Sequence, residues 1–336
     1  MSGDRAAALR APDPGAVEAA ARHIEGLAER TPTIPFGDLE DVWLKLESLQ
    51  PIGSFKLRGA ANAMKVAGEE AVRNGVVTAS AGNMAQGVAW CARRLGVGCR
   101  VVAPEHAPTV KVNAIQELGA QVTLVPFDRW WQALEERSYP GIDGHFLHPF
   151  ADPEVMAGNA TIGLEILQEI EEVDTILVPF GGGGLACGIA AIAKAMRPGI
   201  RVLACEVETA APLTAALTAQ RPVEVPYQPS FVDGIGSRRV FDEMWPLIRE
   251  LIDGTLVVTL RQVRDAVRRL ANERSVIAEG AGAVPVAAAL AAAPGSLGRT
   301  VCVVSGGNLD PRVLVDILYG GEADRSDRAT DRPSGA

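Results

Sequence analysis

The chain offers little material for disulfide or metal chemistry. It contains five cysteines and four histidines among 336 residues. The cysteines form no CxxC pair and lie mostly in apolar segments, so we expect buried, reduced thiols in a cytoplasmic protein. His145 and His148 stand three residues apart, but no Cys or acidic residue follows them in a zinc-binding pattern. The sequence therefore predicts no metal site.

A long apolar run and an excess of positive charge are also missing. No stretch reaches the roughly 18 apolar residues that a membrane helix needs, and residues 1–20 lack the continuous apolar core of a secretory signal. Lys and Arg number 32 against 41 Asp and Glu, which gives a net charge of −9. Such a surface disfavours the phosphate backbone of nucleic acids. We therefore expect neither a membrane nor a nucleic acid as partner.

Apolar, β-branched segments alternate along the chain with alanine-rich segments of helical pattern. The predicted strands are residues 42–47, 75–79, 100–103, 121–125, 175–179, 201–206, 256–259 and 300–304. The predicted helices are residues 59–67, 83–95, 110–118, 152–170, 185–196, 260–271 and 281–293. Continuously apolar strands separated by helices indicate parallel sheets covered on both faces. The predicted fold class is therefore α/β.

The strands between residues 75 and 125 form a compact group with their own helices. We predict a small inserted domain at 71–149 and a large domain built from 1–70 and 150–320. The last residues, 321–336, are polar and charged and contain Gly and Pro, so we expect a disordered tail.

Four consecutive glycines, 181–184, lie between a predicted strand and a predicted helix. Without side chains, the backbone N–H groups of such a turn can converge on an anion at the N-terminus of the helix. We interpret the loop as a phosphate site. The glycines and Ala186 also satisfy the dinucleotide fingerprint, and Glu206 ends the next strand about twenty residues on. A nicotinamide cofactor is therefore an open alternative at this stage.

Lys56 bears on the choice between PLP and a nicotinamide cofactor. It lies in the run SFKLRG between a predicted strand and an alanine-rich helix. Most lysines at such a junction are solvated surface residues, whereas a lysine that forms a Schiff base needs a lowered pKa. Two further turns follow predicted strands, SAGN at 80–83 and SGGN at 305–308. Each could be a plain helix cap or turn, but with Lys56 and the glycines they supply what pyridoxal phosphate (PLP) requires.

Several motifs stand in a fixed order from about residue 20 to about residue 318: KLESLQPIGSFKLRGA, SAGNMAQGVA, HPFADPEVMAGNATIGLEIL, GGGGL, EGAGAV and SGGN. Their order and spacing resemble those of the fold-type II PLP enzymes, and in particular the threonine/serine dehydratase (ammonia-lyase) group. The resemblance implies a tryptophan synthase β-like fold, with the cofactor between two α/β domains, and a homodimer. It also implies α,β-elimination, which converts a β-hydroxy amino acid such as threonine or serine to a 2-oxo acid and ammonia.

The resemblance also implies a role for individual residues. Lys56 would hold PLP as a Schiff base, Phe55 would pack near the ring, Asn83 would bind the 3′-oxygen, and Ser305 would face the pyridine nitrogen. The phosphate would lie on Gly181, Gly182, Gly183, Gly184 and Leu185. The substrate carboxylate would lie on Ser80, Ala81, Gly82, Asn83 and Met84.

The chain departs from the family pattern at three places. Met84 stands where the family commonly has His, which leaves open which hydroxy amino acid is the substrate. Ala81 stands where serine racemases carry a second Ser, which disfavours racemisation. Glu206 matches one ligand of the racemase cation site, but Pro212 at the partner position offers none, so we expect this site to be incomplete.

Four other hypotheses remain open at this stage: β-replacement, a racemase-like enzyme, a nicotinamide-dependent oxidoreductase, and a non-catalytic homologue. Two further features have no assigned role. We expect Trp130 and Trp131 to pack in the core or at the surface, and the loop 233–236 to lie beside the cofactor.

Overall fold

The computed structural model describes residues 9–37 and 39–320. The predicted tail at 321–336 lies outside these residues. The helices are α1 Pro14–His23, α2 Lys56–Val72, α3 Asn83–Leu95, α4 Thr109–Glu117, α5 Phe127–Glu136, α6 Pro153–Glu169, α7 Gly184–Met196, α8 Pro212–Ala219, α9 Trp245–Leu251, α10 Leu260–Arg274, α11 Gly280–Ala291 and α12 Pro311–Tyr319. The strands are β1 Thr33–Phe36, β2 Leu39–Leu46, β3 Val76–Ala79, β4 Cys99–Pro104, β5 Gln121–Val125, β6 His145–Phe146, β7 Thr175–Pro179, β8 Arg201–Val207, β9 Gly254–Val258 and β10 Thr300–Val304.

The strands form two sheets. The larger has the order β1-β2-β10-β7-β8-β9, and only its β1–β2 pair is antiparallel within the described residues. The smaller has the order β5-β4-β3-β6 and is parallel throughout. The predicted α/β class with mainly parallel sheets is confirmed.

Helices cover both faces of the larger sheet because its central strands are apolar on both sides. Ile176 and Val178 of β7 belong to a core shared with α6 and α7. Leu177, which lies between them and points the opposite way, belongs to a second core shared with α10 and α11. Side chains alternate between the faces of a strand, so a strand that is buried on both sides must be apolar at every position.

The sequence prediction misplaced some element boundaries and missed some elements. Helix α2 begins at Lys56 rather than at residue 59, and its regular part ends at Gly68, whose φ of 78° breaks the helix. Five helices and two strands fall where no element was predicted, namely α1, α5, α8, α9, α12, β1 and β6. These are short elements, of two to ten residues, so tertiary contacts rather than a long local pattern stabilise them.

The smaller sheet occupies the stretch of chain between β2 and β7, and helix α2 packs against both α3 and α6. The domain boundaries at 70/71 and 149/150 stay a prediction. No helix of the described residues is both long enough and apolar enough to cross a membrane.

A buried ion cluster fixes the start of α2. Arg58, two residues after Lys56, is fully buried and donates from two nitrogens to each of two carboxylates. Its Nε and Nη2 lie 2.8 Å from the oxygens of Glu47, and its Nη1 and Nη2 lie 2.6 and 2.9 Å from those of Glu165. Bidentate pairs of this kind are the strong class of charge-assisted hydrogen bond. The cluster joins the end of β2, the start of α2 and the middle of α6.

Further polar contacts complete this cluster. Lys45 lies 2.7 Å from Glu165 through its Nζ, which also donates to the carbonyl oxygen of Thr31 at 2.6 Å. Burial alone would lower the pKa of Arg58, but the charges of Glu47 and Glu165 more than offset it and raise the pKa above its ordinary value. Each buried charge therefore has a partner, which is the condition under which burial is tolerated.

We predict that Arg58→Met lowers the free energy of unfolding by about 3–5 kcal/mol, because it leaves buried carboxylates without their partner. Urea unfolding followed by circular dichroism measures this loss. Arg73→Met is the control, since Arg73 directly follows α2, pairs with Glu70 at the exposed surface and should change stability by less than about 1 kcal/mol. Equal losses in the two variants would contradict the role given to the buried cluster.

Candidate active site

A cavity of about 330 Å³ lies where strands of both sheets end. Its lining includes Ser80, which follows β3, and Pro104, which ends β4 of the smaller sheet. It also includes Pro179, which ends β7, and Ser305, which follows β10 of the larger sheet. The carboxyl ends of parallel strands are the usual place for ligands in α/β folds.

Every site residue predicted from the sequence lines this cavity. These residues are Phe55, Lys56, Ser80, Ala81, Gly82, Asn83, Met84, Gly181, Gly182, Gly183, Gly184, Leu185 and Ser305. Segments that are up to 250 residues apart in the chain, from 55 to 305, therefore meet at one place. Their individual roles stay predictions.

Lys56 is the first residue of α2, and its amine faces the cavity. Its Nζ donates to the carbonyl oxygen of Pro149 at 2.9 Å and lies 5.1 Å from the centre of the Phe55 ring. Burial lowers the pKa of the amine from 10.5 to about 8, and the negative charge of Glu279 partly opposes this shift. The N-terminus of a helix also disfavours a positive charge. Lys56 therefore lies in the wall of the cavity and not on the outer surface.

The glycine loop leaves the N-terminus of α7 open. The N-cap residue is Gly183, with a φ of 92°, and no side chain caps the first turn. The first N–H groups of a helix have no partner within it, so here they can bind an anion. Larger residues would not fit, because a Cβ on Gly182 would lie 2.2 Å from the ring of Phe150 and one on Gly184 would lie 2.5 Å from the Phe150 carbonyl oxygen.

Helix α3 opens onto the same cavity in the same way. Its N-cap is Gly82, no side chain caps it, and its first residue is Asn83. The cavity thus receives two uncapped helix N-termini, and each favours an anionic group. A ligand with two separate anionic groups, such as a phosphate and a carboxylate, fits this arrangement.

Glu279, the first residue of the motif EGAGAV, is a further residue of the site to which the sequence alone assigns no role. Its carboxylate is buried, lines the cavity and accepts a hydrogen bond from Asn83 Nδ2 at 2.8 Å. Asn83 Oδ1 in turn accepts from Asn308 Nδ2 at 2.9 Å. Burial raises the pKa of Glu279 to about 7, although the bond from Asn83 lowers it. The chain of contacts orients the amide of Asn83, with its NH₂ group towards Glu279.

Ser305 is fixed to the segment that carries Lys56. Its carbonyl oxygen accepts from the backbone N–H of Phe55 at 3.1 Å, and Ser54 pairs with Gly306 in an isolated antiparallel bridge. Gly307 donates to the carbonyl oxygen of Gly53 at 2.8 Å. These backbone bonds hold the segments that carry Lys56 and Ser305 next to each other.

Other lining residues were missed. Asp233 lines the cavity, as expected for its loop, and forms an ion pair of 2.5 Å with Lys111 of α4, which was not singled out. Trp130 packs against the buried core that includes Ala133 and Leu134, as expected, and it also lines the cavity. Its neighbour Trp131 packs against Phe241, with ring centres 5.1 Å apart.

Glu206, whose carboxylate supported the dinucleotide alternative, binds backbone N–H groups outside the cavity. Glu206 accepts from the backbone N–H groups of Leu213 and Thr214 at 2.7 and 2.8 Å, and so caps helix α8. It is buried and is not part of the cavity lining. Within residues 9–37 and 39–320, no group of three or more His, Cys, Asp and Glu side chains is placed to hold a metal ion.

The fold and the site define a class of enzyme. A family model described as pyridoxal-phosphate dependent enzyme matches residues 24–306, and the chain belongs to this family. Its cofactor is PLP, and the residues present fit it, with the amine of Lys56 in the cavity lining and the uncapped N-terminus of α7 for the phosphate. The fold-type II assignment is thereby confirmed.

Comparison with individual proteins shows which enzymes of this family the chain is similar to. The chain is 42% identical over 287 residues to an L-threonine ammonia-lyase of Geobacter sulfurreducens, covering 83% of this chain and 70% of that one. The structure is similar to that of the T.th. threonine deaminase, with a TM-score of 0.78, 34% identity and 89% and 99% of the two chains covered. It is also similar to maize serine racemase, with a TM-score of 0.83, 30% identity and 95% and 99% covered.

We predict that the attachment of PLP to the apoprotein accelerates with rising pH and levels off above about 8, the pKa of Lys56. The uncharged amine is the nucleophile, and its fraction grows as the pH passes the pKa. Glu279→Gln should move the midpoint to lower pH, because it removes a negative charge that raises this pKa. Stopped-flow absorbance over a pH series measures both midpoints. A wild-type midpoint near 10.5, the ordinary value, would show that the amine is not perturbed.

We predict that Gly184→Ala weakens PLP binding by roughly tenfold or more, which corresponds to about 1.4 kcal/mol. The new methyl group would meet a backbone oxygen at 2.5 Å, so the loop and its N–H groups must shift. Gly181→Ala is the comparison, since its methyl group would lie 3.6 Å from Ile235, an ordinary contact. Its loss should be smaller. Titration of the apoproteins with PLP, followed by fluorescence, compares them, and equal affinities would refute the steric argument.

Proposed function

We propose that this protein is a PLP-dependent ammonia-lyase that acts on L-threonine and on L-serine. The observation that carries the proposal is the meeting of two uncapped helix N-termini, those of α3 and α7, beside the amine of Lys56 in one cavity. One N-terminus suits the phosphate of the cofactor and the other suits the carboxylate of an amino acid. The identity of 42% to a named L-threonine ammonia-lyase supports this choice of substrate.

The residues divide the work between binding and proton transfer. PLP, when bound, withdraws electrons from the substrate Cα and so makes its proton acidic. The first turn of α3 holds the substrate carboxylate, and the first turn of α7 holds the phosphate. Lys56 Nζ, which lines the cavity, accepts the Cα proton. Ser305 offers a neutral hydroxyl to the ring nitrogen and does not protonate it as a carboxylic acid would.

The net reaction balances without a further reactant. Threonine loses its Cα proton and its β-hydroxyl group, which leave together as water. The released enamine then takes up water and gives a 2-oxo acid and ammonia. The protein therefore needs a base at Cα and an anion site for the carboxylate, and the cavity offers both.

Serine racemisation is the second candidate, because similar structures include the maize serine racemase. A racemase needs an acid or base on each face of Cα. Position 81, where the racemases carry a serine, is Ala81, and its methyl group lines the cavity. A methyl group cannot transfer a proton, so we favour elimination over racemisation.

We also propose that the enzyme works in the cytoplasm as a homodimer. The five cysteines are all free and buried, which suits a reducing compartment. The dimer rests on the family resemblance, and light scattering of the purified protein tests it.

We predict that the enzyme releases ammonia from L-threonine and that Lys56→Ala lowers kcat/KM by about 100-fold to 10,000-fold, the range for loss of a general base. Lys65→Ala is the control, since Lys65 lies exposed on the same helix and should retain wild-type activity. A coupled assay of the 2-oxo acid measures both variants. Chiral chromatography of L-serine reactions should show no D-serine. Accumulation of D-serine without ammonia would favour the racemase instead.

A further inference from the structure

We infer that Trp130 sets the size of the β-substituent that the enzyme accepts, so that serine and threonine fit while the phenyl group of 3-phenylserine is excluded. The inference rests on the proposed function, because it names the substrate side chain for that same site. It concerns a residue to which neither the family motifs nor the sequence pattern assigns a role.

Trp130 belongs to the part of the cavity wall that follows the strands of the smaller sheet. Three segments at the carboxyl ends of neighbouring strands in the smaller sheet line the cavity: the turn 80–84 after β3, the loop 104–108 after β4, and helix α5 after β5. Trp130 is the residue by which α5 lines it. Lys56, the glycine loop and Ser305 line the cavity from the larger sheet and from α2.

In the proposed reaction, the four substituents of the substrate Cα point to different parts of the cavity. Its amine points to the cofactor, its proton to Lys56 Nζ and its carboxylate to the first turn of α3. A tetrahedral carbon leaves one direction for the side chain. Since the carboxylate lies on the smaller sheet's side of the cavity, the side chain next to it faces the remaining wall there, to which Trp130 contributes the largest side chain.

Neighbouring aromatic rings pack against Trp130. Its ring centre lies 5.4 Å from that of Phe127 and 6.1 Å from that of Trp131. Trp131 packs against Phe241, which packs edge-on against Phe150 with centres 4.8 Å apart. These contacts, together with the buried core beneath α5, support the indole of Trp130 in the cavity lining.

The cavity is small for a site that binds both a cofactor and a substrate. Its volume of about 330 Å³ must hold the cofactor as well as the amino acid. Small-molecule sites span about 300–1,000 Å³, so this one is at the lower end. A phenyl group at Cβ needs more of this space than a hydrogen or methyl group, and on this proposal it meets the indole of Trp130.

The polar atom of Trp130 adds a second observation. Its Nε1–H is buried and has no acceptor among the described residues, which costs about 1–3 kcal/mol. A phenylalanine would fill most of the same space without that cost. Trp130→Phe therefore separates the bulk of the ring from its hydrogen-bond donor, and the size argument predicts that this variant keeps the wild-type selectivity.

The test compares wild type, Trp130→Ala and Trp130→Phe as holoenzymes on L-threonine and on L-3-phenylserine. Trp130→Ala should raise the ratio of kcat/KM for phenylserine over threonine by about tenfold or more, as expected for opening an apolar pocket. Trp245→Ala is the matched control. Trp245 lies on α9, outside the cavity lining, with Arg249 stacked on its ring at 5.8 Å. This variant should leave the ratio unchanged.

A binding measurement makes the test independent of turnover. L-2-Aminobutyrate and L-phenylalanine have no β-hydroxyl group, so the enzyme cannot eliminate water from them. Calorimetric titration of each holoenzyme gives the ratio of their dissociation constants. Trp130→Ala should shift this ratio towards phenylalanine by about tenfold. Thermal unfolding checks that each variant is folded, and Trp130→Leu replaces the alanine variant if that one is not.

The outcomes separate the two proposals. Unchanged ratios in both assays for a folded Trp130→Ala variant, or efficient use of phenylserine by the wild type, would overturn the role of Trp130. Absence of ammonia release from threonine in every variant would instead overturn the proposed function. The calorimetric ratios would still decide whether Trp130 limits the size of a bound amino acid.

Discussion

The fully buried guanidinium of Arg58, held by two carboxylates, is the constraint on which the site depends. Glu47 directly follows β2, and Glu165 lies in α6. Their bonds to Arg58 therefore fix the start of α2 against β2 and α6. Lys56 begins that helix two residues earlier. Because an unpaired buried charge is so costly, the cluster holds only in one arrangement. The amine is therefore placed by interactions that lie outside the cavity.

Electrostatics then determines what the cavity can bind. The two uncapped helices α3 and α7 favour anions, while the enclosed amine of Lys56 has a lowered pKa and Glu279 a raised one. Both shifts reduce the charge that the protein must bury at this site. A cofactor with a phosphate and a substrate with a carboxylate supply the negative charges that the helix termini favour. The same features that position the ligands thus also prepare the base.

Sequence reasoning recovered the residues whose chemistry is local. Lys56, the four glycines and the turns at 80–83 and 305–308 each carry a recognisable pattern, and each of these segments contributes to the cavity lining. Trp130 carries no such pattern, because its place depends on how α5 packs. Glu279 was visible in a motif, but its burial beside Asn83 follows from contact between residues that are 196 positions apart. Only the folded chain brings these residues together.

The covalent link between the cofactor and Lys56 is the central claim, and chemical reduction tests it most directly. Treatment of the purified holoenzyme with borohydride, followed by proteolysis and mass spectrometry, locates the reduced cofactor on the chain. We expect one modified peptide, which contains Lys56, and loss of the visible absorbance band. If the protein binds PLP but is not modified at Lys56, or is modified on another lysine, then Lys56 does not hold the cofactor.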